Sequence, residues 1–144
     1  MRAPFSGGCA CGSVRYRCTA DPLFALNCHC RDCQRETGSA FAPILAVPRA
    51  AFTVTHGSPK YFDVTADSGH TTRRLFCGEC GSPLFGEPGV RPDMVTIRAG
   101  SLDDPGAFRP GQDIYTARAQ PWDHMNPDLP KVPKAPERRV TPHA

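Results

Sequence analysis

Cysteine spacing constrains this chain of 144 residues more than any other feature of its sequence. Apart from the lone Cys18, its cysteines form three clusters: a C-x-C pair (Cys9, Cys11), a C-x-C-x-x-C triplet (Cys28, Cys30, Cys33) and a C-x-x-C pair (Cys77, Cys80). Thiolates are good zinc ligands, and ligands close in sequence lower the entropic cost of closing a site. The three clusters therefore predict bound zinc.

The sequence context favours metal ligation over disulfide bonds. The N-terminal stretch MRAPFSGGCACG does not resemble a signal peptide, and the longest apolar run, 40–47, is too short to span a bilayer. We therefore expect a cytoplasmic protein with no membrane contact. In a reducing compartment, clustered cysteines are metal ligands more often than disulfides. The alternatives are buried cysteines without a metal, or thiol redox chemistry at Cys30 and Cys33.

The remaining pattern predicts a mainly β fold. Sixteen prolines and thirteen glycines argue against long helices. Short alternating or apolar runs predict strands over 12–18, 24–27, 40–47, 52–55, 60–64, 71–76, 83–86, 94–98 and 113–117. The strands 52–55 and 60–64 are expected to form a hairpin around His56-Gly57-Ser58-Pro59. One or two helical turns are predicted over 31–37, with Gly38 as the C-cap.

The composition predicts a zinc-binding β domain over residues 1–125, followed by a Pro-rich tail over 126–144 that is extended or disordered. The tail holds four basic and two acidic residues, so it carries +2 of the formal net charge of +3. A nearly neutral body is a poor footprint for nucleic acid, so such a partner is not expected. The oligomeric state stays open, a homo-oligomer included.

Four motifs, in this order, carry a resemblance to a known family: GGCACGSVRY, CHCRDCQRETGSAF, TTRRLFCGECGSPLF and IYTARAQPW. Over roughly residues 7–122 the sequence resembles the glutathione-dependent formaldehyde-activating enzymes, which are also related to centromere protein V. The resemblance implies a β-tent fold, in which zinc pins antiparallel sheets. It also implies carbon–sulfur lyase chemistry on small thiol adducts, such as glutathione plus formaldehyde giving S-hydroxymethylglutathione.

The same resemblance implies a division of labour among the cysteines. The positions of a closed structural zinc site are matched by Cys9, Cys11, Cys77 and Cys80. The positions of a second, catalytic zinc are matched by Cys28, Cys30 and Cys33. We therefore expect two Zn²⁺ per chain, with glutathione as a candidate co-substrate. Four thiolates saturate a tetrahedral zinc, whereas three leave one position open. A competing interpretation gives the triplet Cys18 as a fourth ligand.

Four residues around the triplet are candidate glutathione contacts. Arg31 and Arg35 could hold carboxylates, and the backbone at Gly38 and Ser39 could face an anion. The alternative for both arginines is a solvent-facing position with no ligand.

Two further side chains and one alternative function complete the sequence-based interpretation. His29 lies between two cysteines and is predicted to point away from the metal. The sole tryptophan, Trp122, is predicted to be a core lid or a ligand platform.

The resemblance, together with the cysteine clusters, thus implies a zinc-dependent, carbon–sulfur lyase-like enzyme. The alternative is a non-catalytic zinc-binding module that contacts protein or nucleic acid.

Overall fold

Strands dominate the chain in a computed structural model that describes residues 1–136. The strands are β1 (Phe5–Gly8), β2 (Arg15–Cys18), β3 (Phe24–Cys28), β4 (Ala42–Pro48), β5 (Phe52–His56), β6 (Lys60–Thr65), β7 (Thr71–Phe76), β8 (Pro83–Pro88), β9 (Met94–Arg98) and β10 (Asp113–Ile114). Helix α1 spans Arg31–Thr37, and short 3-10 turns lie at 49–51, 99–101, 105–107 and 116–118. The predicted mainly β class is confirmed.

The strands form two sheets of unequal size. The larger has seven strands in the order β10-β3-β4-β9-β8-β7-β6, and the smaller has three in the order β1-β2-β5. Neighbouring strands pair antiparallel, except that β10 runs parallel to β3. The apolar run over 40–47 forms most of β4, an interior strand of the larger sheet. It is buried at most positions because strands lie along both its edges and side chains pack on both its faces.

Two apolar clusters fill the interior. The main core joins the two sheets, and its fully buried members include Tyr16 from β2, Leu45 from β4 and Ile97 from β9. A smaller cluster lies beneath α1, where Leu26, Ile44 and Ile114 pack around Cys28 and Cys33. The cysteine triplet therefore packs on this smaller apolar cluster, which is separate from the main core.

The predicted hairpin between 52–55 and 60–64 is wrong. Strand β5 pairs with β2, whereas β6 pairs with β7 in the other sheet. The Phe52 ring packs between Tyr16 and Phe85, with centroid distances of 5.3 and 4.7 Å, which places β5 over the main core. Gly57, just after β5, adopts φ 77°, and a Cβ there would lie 1.9 Å from the Ser13 carbonyl oxygen, so this position requires glycine.

Other strands also differ from the predictions. The strand expected over 12–18 begins only at Arg15, because Gly12 has φ 80° and donates its N–H to the Cys9 carbonyl in a turn. Strand β1 was not predicted, because Gly7 and Gly8 lack the β-branched or aromatic side chains typical of strands. The strand expected over 113–117 ends at Ile114, because Tyr115 has φ 53° and a 3-10 turn follows. Helix α1 is confirmed: its C-cap Gly38 has φ 66° and donates its N–H to the Gln34 carbonyl.

The first part of the proline-rich segment lies along β10. The backbone N–H of Asp113 donates to the Pro130 carbonyl, and that of Val132 donates to the Asp113 carbonyl, each at 2.9 Å. Residues 137–144, which form the rest of the predicted tail, lie outside the described residues. The domain boundary at 125/126 stays a prediction. Within residues 1–136, no helix has the length and apolarity that a membrane span requires.

The core assignment can be tested by matched leucine truncations. Leu45 is 1% exposed in the main core, whereas Leu23 is 50% exposed. We expect Leu45→Ala to lower the free energy of unfolding by about 2–5 kcal/mol, since it leaves a cavity. Leu23→Ala should lower it by less than about 1 kcal/mol. Urea denaturation of both variants measures the difference, and equal losses would contradict the assignment.

Candidate metal centres and the adjoining cleft

Four cysteine sulfurs from two different sheets converge at one point. Cys9 and Cys11 lie between β1 and β2, while Cys77 and Cys80 lie between β7 and β8. Their sulfurs all lie within 4.8 Å of one another. The Cys9–Cys11 and Cys11–Cys77 sulfur pairs are 3.6 and 3.7 Å apart. Since Zn–S bonds are about 2.3 Å long, tetrahedral zinc holds its sulfurs about 3.8 Å apart. The donor set and its spacing fit zinc.

The turn at the second of these pairs shows why the motif has its sequence. Gly81 adopts φ 76° and donates its N–H to the Cys77 carbonyl, which folds the loop back on itself. The Ser82 hydroxyl oxygen lies 3.2 Å from the Cys80 sulfur, within hydrogen-bond distance. The hydrogen bond lowers the pKa of Cys80 to about 5. A thiolate is therefore favoured at the position where a metal ligand is required.

The cysteine triplet forms a second cluster where β3 meets α1. Cys28 ends β3, Cys30 caps α1 by accepting a hydrogen bond from the Cys33 N–H, and the three sulfurs lie within 4.8 Å of one another. Hydrogen bonds from Cys28 and Cys33 lower the pKa of Cys30. Among residues 1–136, no further Cys, His, Asp or Glu joins this group.

The competing fourth ligand, Cys18, lies elsewhere. It is buried in the main core on β2, and its thiol donates to the Ala20 carbonyl at 3.3 Å. Burial raises the pKa of the Cys18 thiol, as is typical of a cysteine that packs as an apolar side chain. Within the described chain, the triplet therefore offers three protein sulfurs and no fourth.

A positively charged network lies beside the triplet. Both terminal nitrogens of Arg74 lie 3.7 Å from the Cys33 sulfur, and one donates to Glu36 at 2.8 Å. Arg98, which is buried, donates to the same carboxylate. Burial alone would lower the pKa of Arg74, but the charges of Cys33 and Glu36 raise it. The guanidinium is thus fixed as a permanent cation at the sulfurs.

His29 points away from the cysteines, as its position predicted. The imidazole is fully buried, with Nε2 3.0 Å from Asp113 and Nδ1 3.5 Å from Asp123. Asn27 and Lys131 also contact Asp113, at 3.2 and 3.3 Å. These contacts tie the loop that carries the triplet to β10 and to the C-terminal segment.

A cleft of about 400 Å³ borders α1, and it brings together all four predicted glutathione contacts. Its lining consists of Arg31, Gln34, Arg35, Gly38, Ser39, Gln120 and Trp122. Trp122 is 65% exposed, so it is a wall of the cleft and not a core lid. Gln34 is fixed there by donating to the carbonyls of His29 and Arg118 at 2.8 and 2.9 Å.

Some residues of the site were not predicted. Gln34 lies one helical turn after Arg31, on the same face of α1, and this spacing could have indicated it. Arg74 lies three residues before Cys77 on β7 and reaches the triplet only because β7 packs near α1. No local pattern in the sequence predicts the contact between Arg74 and Cys33.

Comparison with known proteins agrees with this arrangement. Residues 4–118 match the family described as "Glutathione-dependent formaldehyde-activating enzyme". The chain belongs to this family. A Penicillium rubens protein is 38% identical over 87 residues, which are 57% of this chain and 44% of that protein. A Halomonas elongata protein is 29% identical over 101 residues, 67% of this chain and 64% of that protein. Both names assign the same activity provisionally.

The chain spans less than half the length of the Penicillium relative and under two thirds of the Halomonas relative. The crystal structure of a Rhodobacter sphaeroides protein superposes with a TM-score of 0.57 at 18% identity, covering 88% of this chain and 98% of that one. At that identity the likeness concerns the fold alone.

The composition of the two centres can be tested by single cysteine variants. We expect two zinc ions per wild-type chain and the same content in Cys18→Ala, because Cys18 lies in the main core. Cys33→Ala should retain one zinc, since the four-cysteine cluster does not use that residue. Metal analysis of the purified proteins by plasma mass spectrometry measures this. Loss of one zinc in Cys18→Ala would contradict the assignment.

Proposed function

We propose that this chain is a zinc-dependent enzyme that forms and cleaves a carbon–sulfur bond in small thiol adducts, with glutathione plus formaldehyde as the substrate pair. One observation carries the proposal: three clustered sulfurs at the start of α1 have no fourth protein ligand among residues 1–136. Three protein ligands and an open position are the pattern of a catalytic zinc, whereas the four-cysteine cluster is closed and structural.

The residues of the triplet would hold zinc through Cys28, Cys30 and Cys33. When bound there, zinc supplies Lewis-acid chemistry and lowers the pKa of a thiol ligand. Three thiolates and one Zn²⁺ carry a net charge of −1, which the guanidinium of Arg74 offsets at 3.7 Å from Cys33. Because Arg98 in turn neutralises Glu36, the positive charge of Arg74 remains available to the sulfurs.

The cleft on α1 supplies the recognition that a glutathione-sized thiol requires. Glutathione carries two carboxylates, and Arg31 and Arg35 place two guanidinium groups in the cleft. Trp122 offers an exposed apolar face to the peptide portion. In the reaction, the thiol sulfur bonds to the carbonyl carbon of formaldehyde and the thiol proton ends on the oxygen. The products of the reverse direction are free thiol and free formaldehyde.

The activity can be measured by exchange NMR between free formaldehyde and its glutathione adduct. Wild type should accelerate the exchange above the uncatalysed rate, and Cys30→Ser should not, because that variant loses a sulfur of the triplet. Cys18→Ala is the matched control and should keep the wild-type rate. Equal rates for wild type and Cys30→Ser would contradict the proposed activity, and with both zincs bound they would favour the non-catalytic zinc-binding module.

Recognition by the cleft can be tested separately from the chemistry. We expect the double variant Arg31→Met/Arg35→Met to raise the KM for glutathione about 10-fold or more, because charge-assisted hydrogen bonds to its carboxylates are lost. The KM for β-mercaptoethanol, which has no carboxylate, should not change. Arg91→Met, which removes a surface guanidinium paired with Asp93, is the control. Equal increases for both thiols would place the glutathione carboxylates elsewhere.

A further inference from the structure

Tyr115 has an unusual backbone conformation beside the cysteine triplet. It is the one non-glycine residue of positive φ among residues 1–136, at φ 53°. This region is unfavourable for a bulky side chain, and such residues persist only where the surrounding structure holds them. Strained residues of this kind concentrate at functional sites. The conformation therefore raises the question of what Tyr115 does there.

The surroundings of Tyr115 fix its backbone from two sides. On one side, Ile114 lies opposite Cys28 in the β10–β3 pairing, and its carbonyl accepts the His29 N–H at 3.0 Å. On the other side, the C-terminal segment covers the turn. The N–H of Tyr115 donates to the Lys134 carbonyl at 2.9 Å, and the N–H of Thr116 donates to the Val132 carbonyl at 3.1 Å. The turn is thus bonded both to the strand that carries Cys28 and to residues 132–134.

The Tyr115 side chain lies at the apolar cluster to which two cysteines of the triplet belong. Its ring packs against the small apolar cluster that contains Cys28 and Cys33, together with Cys30 and Val132. Among the members of this cluster, only Tyr115 carries a hydroxyl group. A phenol carries its proton at neutral pH, so the Tyr115 hydroxyl can donate a hydrogen bond.

We propose that the Tyr115 hydroxyl donates a hydrogen bond to the oxygen of the thiol adduct at the cysteine triplet. This inference rests on the proposed function. In the addition, that oxygen begins as the carbonyl oxygen of formaldehyde, gains negative charge as the carbon–sulfur bond forms, and then receives the proton of the thiol. Tyr115 keeps its own proton throughout. A donor aimed at the oxygen where charge develops stabilises the transition state more than the ground state.

The test compares Tyr115→Phe with wild type in the formaldehyde–glutathione exchange assay. The variant keeps the ring that packs on the cluster and loses only the hydroxyl. We expect its kcat to fall about 10- to 100-fold, with zinc content and the urea midpoint unchanged. Tyr61→Phe removes a phenol that is 56% exposed on β6 and should keep the wild-type kcat.

A ligand without the oxygen separates this role from a structural one. S-methylglutathione has the sulfur and both carboxylates but no hydroxyl, so its inhibition constant should be the same for wild type and Tyr115→Phe. An unchanged kcat in an active Tyr115→Phe would overturn the inference alone. An equal weakening of S-methylglutathione binding would also overturn it, in favour of packing. A wild type no faster than Cys30→Ser would overturn the proposed function, and this inference with it.

Discussion

The convergence of four cysteine sulfurs joins the two sheets of this fold. Cys9 and Cys11 leave the three-stranded sheet, and Cys77 and Cys80 leave the seven-stranded sheet, so a metal held between them links segments far apart in sequence. A small domain buries a low fraction of its surface and gains from an additional link. Because binding to a site that is absent in the unfolded chain contributes to folding, zinc bound there would stabilise the packing of one sheet on the other.

The second cluster, formed by Cys28, Cys30 and Cys33, differs from the first in where its sulfurs come from. Its sulfurs come from one continuous stretch, 28–33, and rest on the smaller apolar cluster beneath α1. Arg74 contacts this stretch at Cys33, and the buried His29 of the stretch contacts Asp113 on β10. The contacts with Arg74 and Asp113 thus position the stretch without a fourth cysteine ligand. A preorganised three-sulfur site with a cationic cleft on the same helix is suited to thiol substrates.

Features that depend on the spacing of nearby residues could be predicted from the sequence. The three cysteine clusters, α1 with its Gly38 cap, and the arginines of the cleft follow from residues close together in the chain. The strand pairing of β5 could not be predicted in this way, because it depends on long-range packing. Strand β5 pairs with β2 because Phe52 packs on Tyr16 and Phe85. Tyr115 and Arg74 were missed for the same reason. Each reaches the triplet through a strand pairing or a backbone turn that no local pattern specifies.

We infer that zinc at the triplet keeps one position without a protein ligand. X-ray absorption at the zinc edge, with zinc content measured on the same sample, distinguishes three sulfur ligands from four. We expect two zincs per chain, an average of fewer than four sulfurs per zinc, and a light-atom ligand. Two zincs with four sulfurs each, and no exchangeable small thiol on the protein, would contradict it.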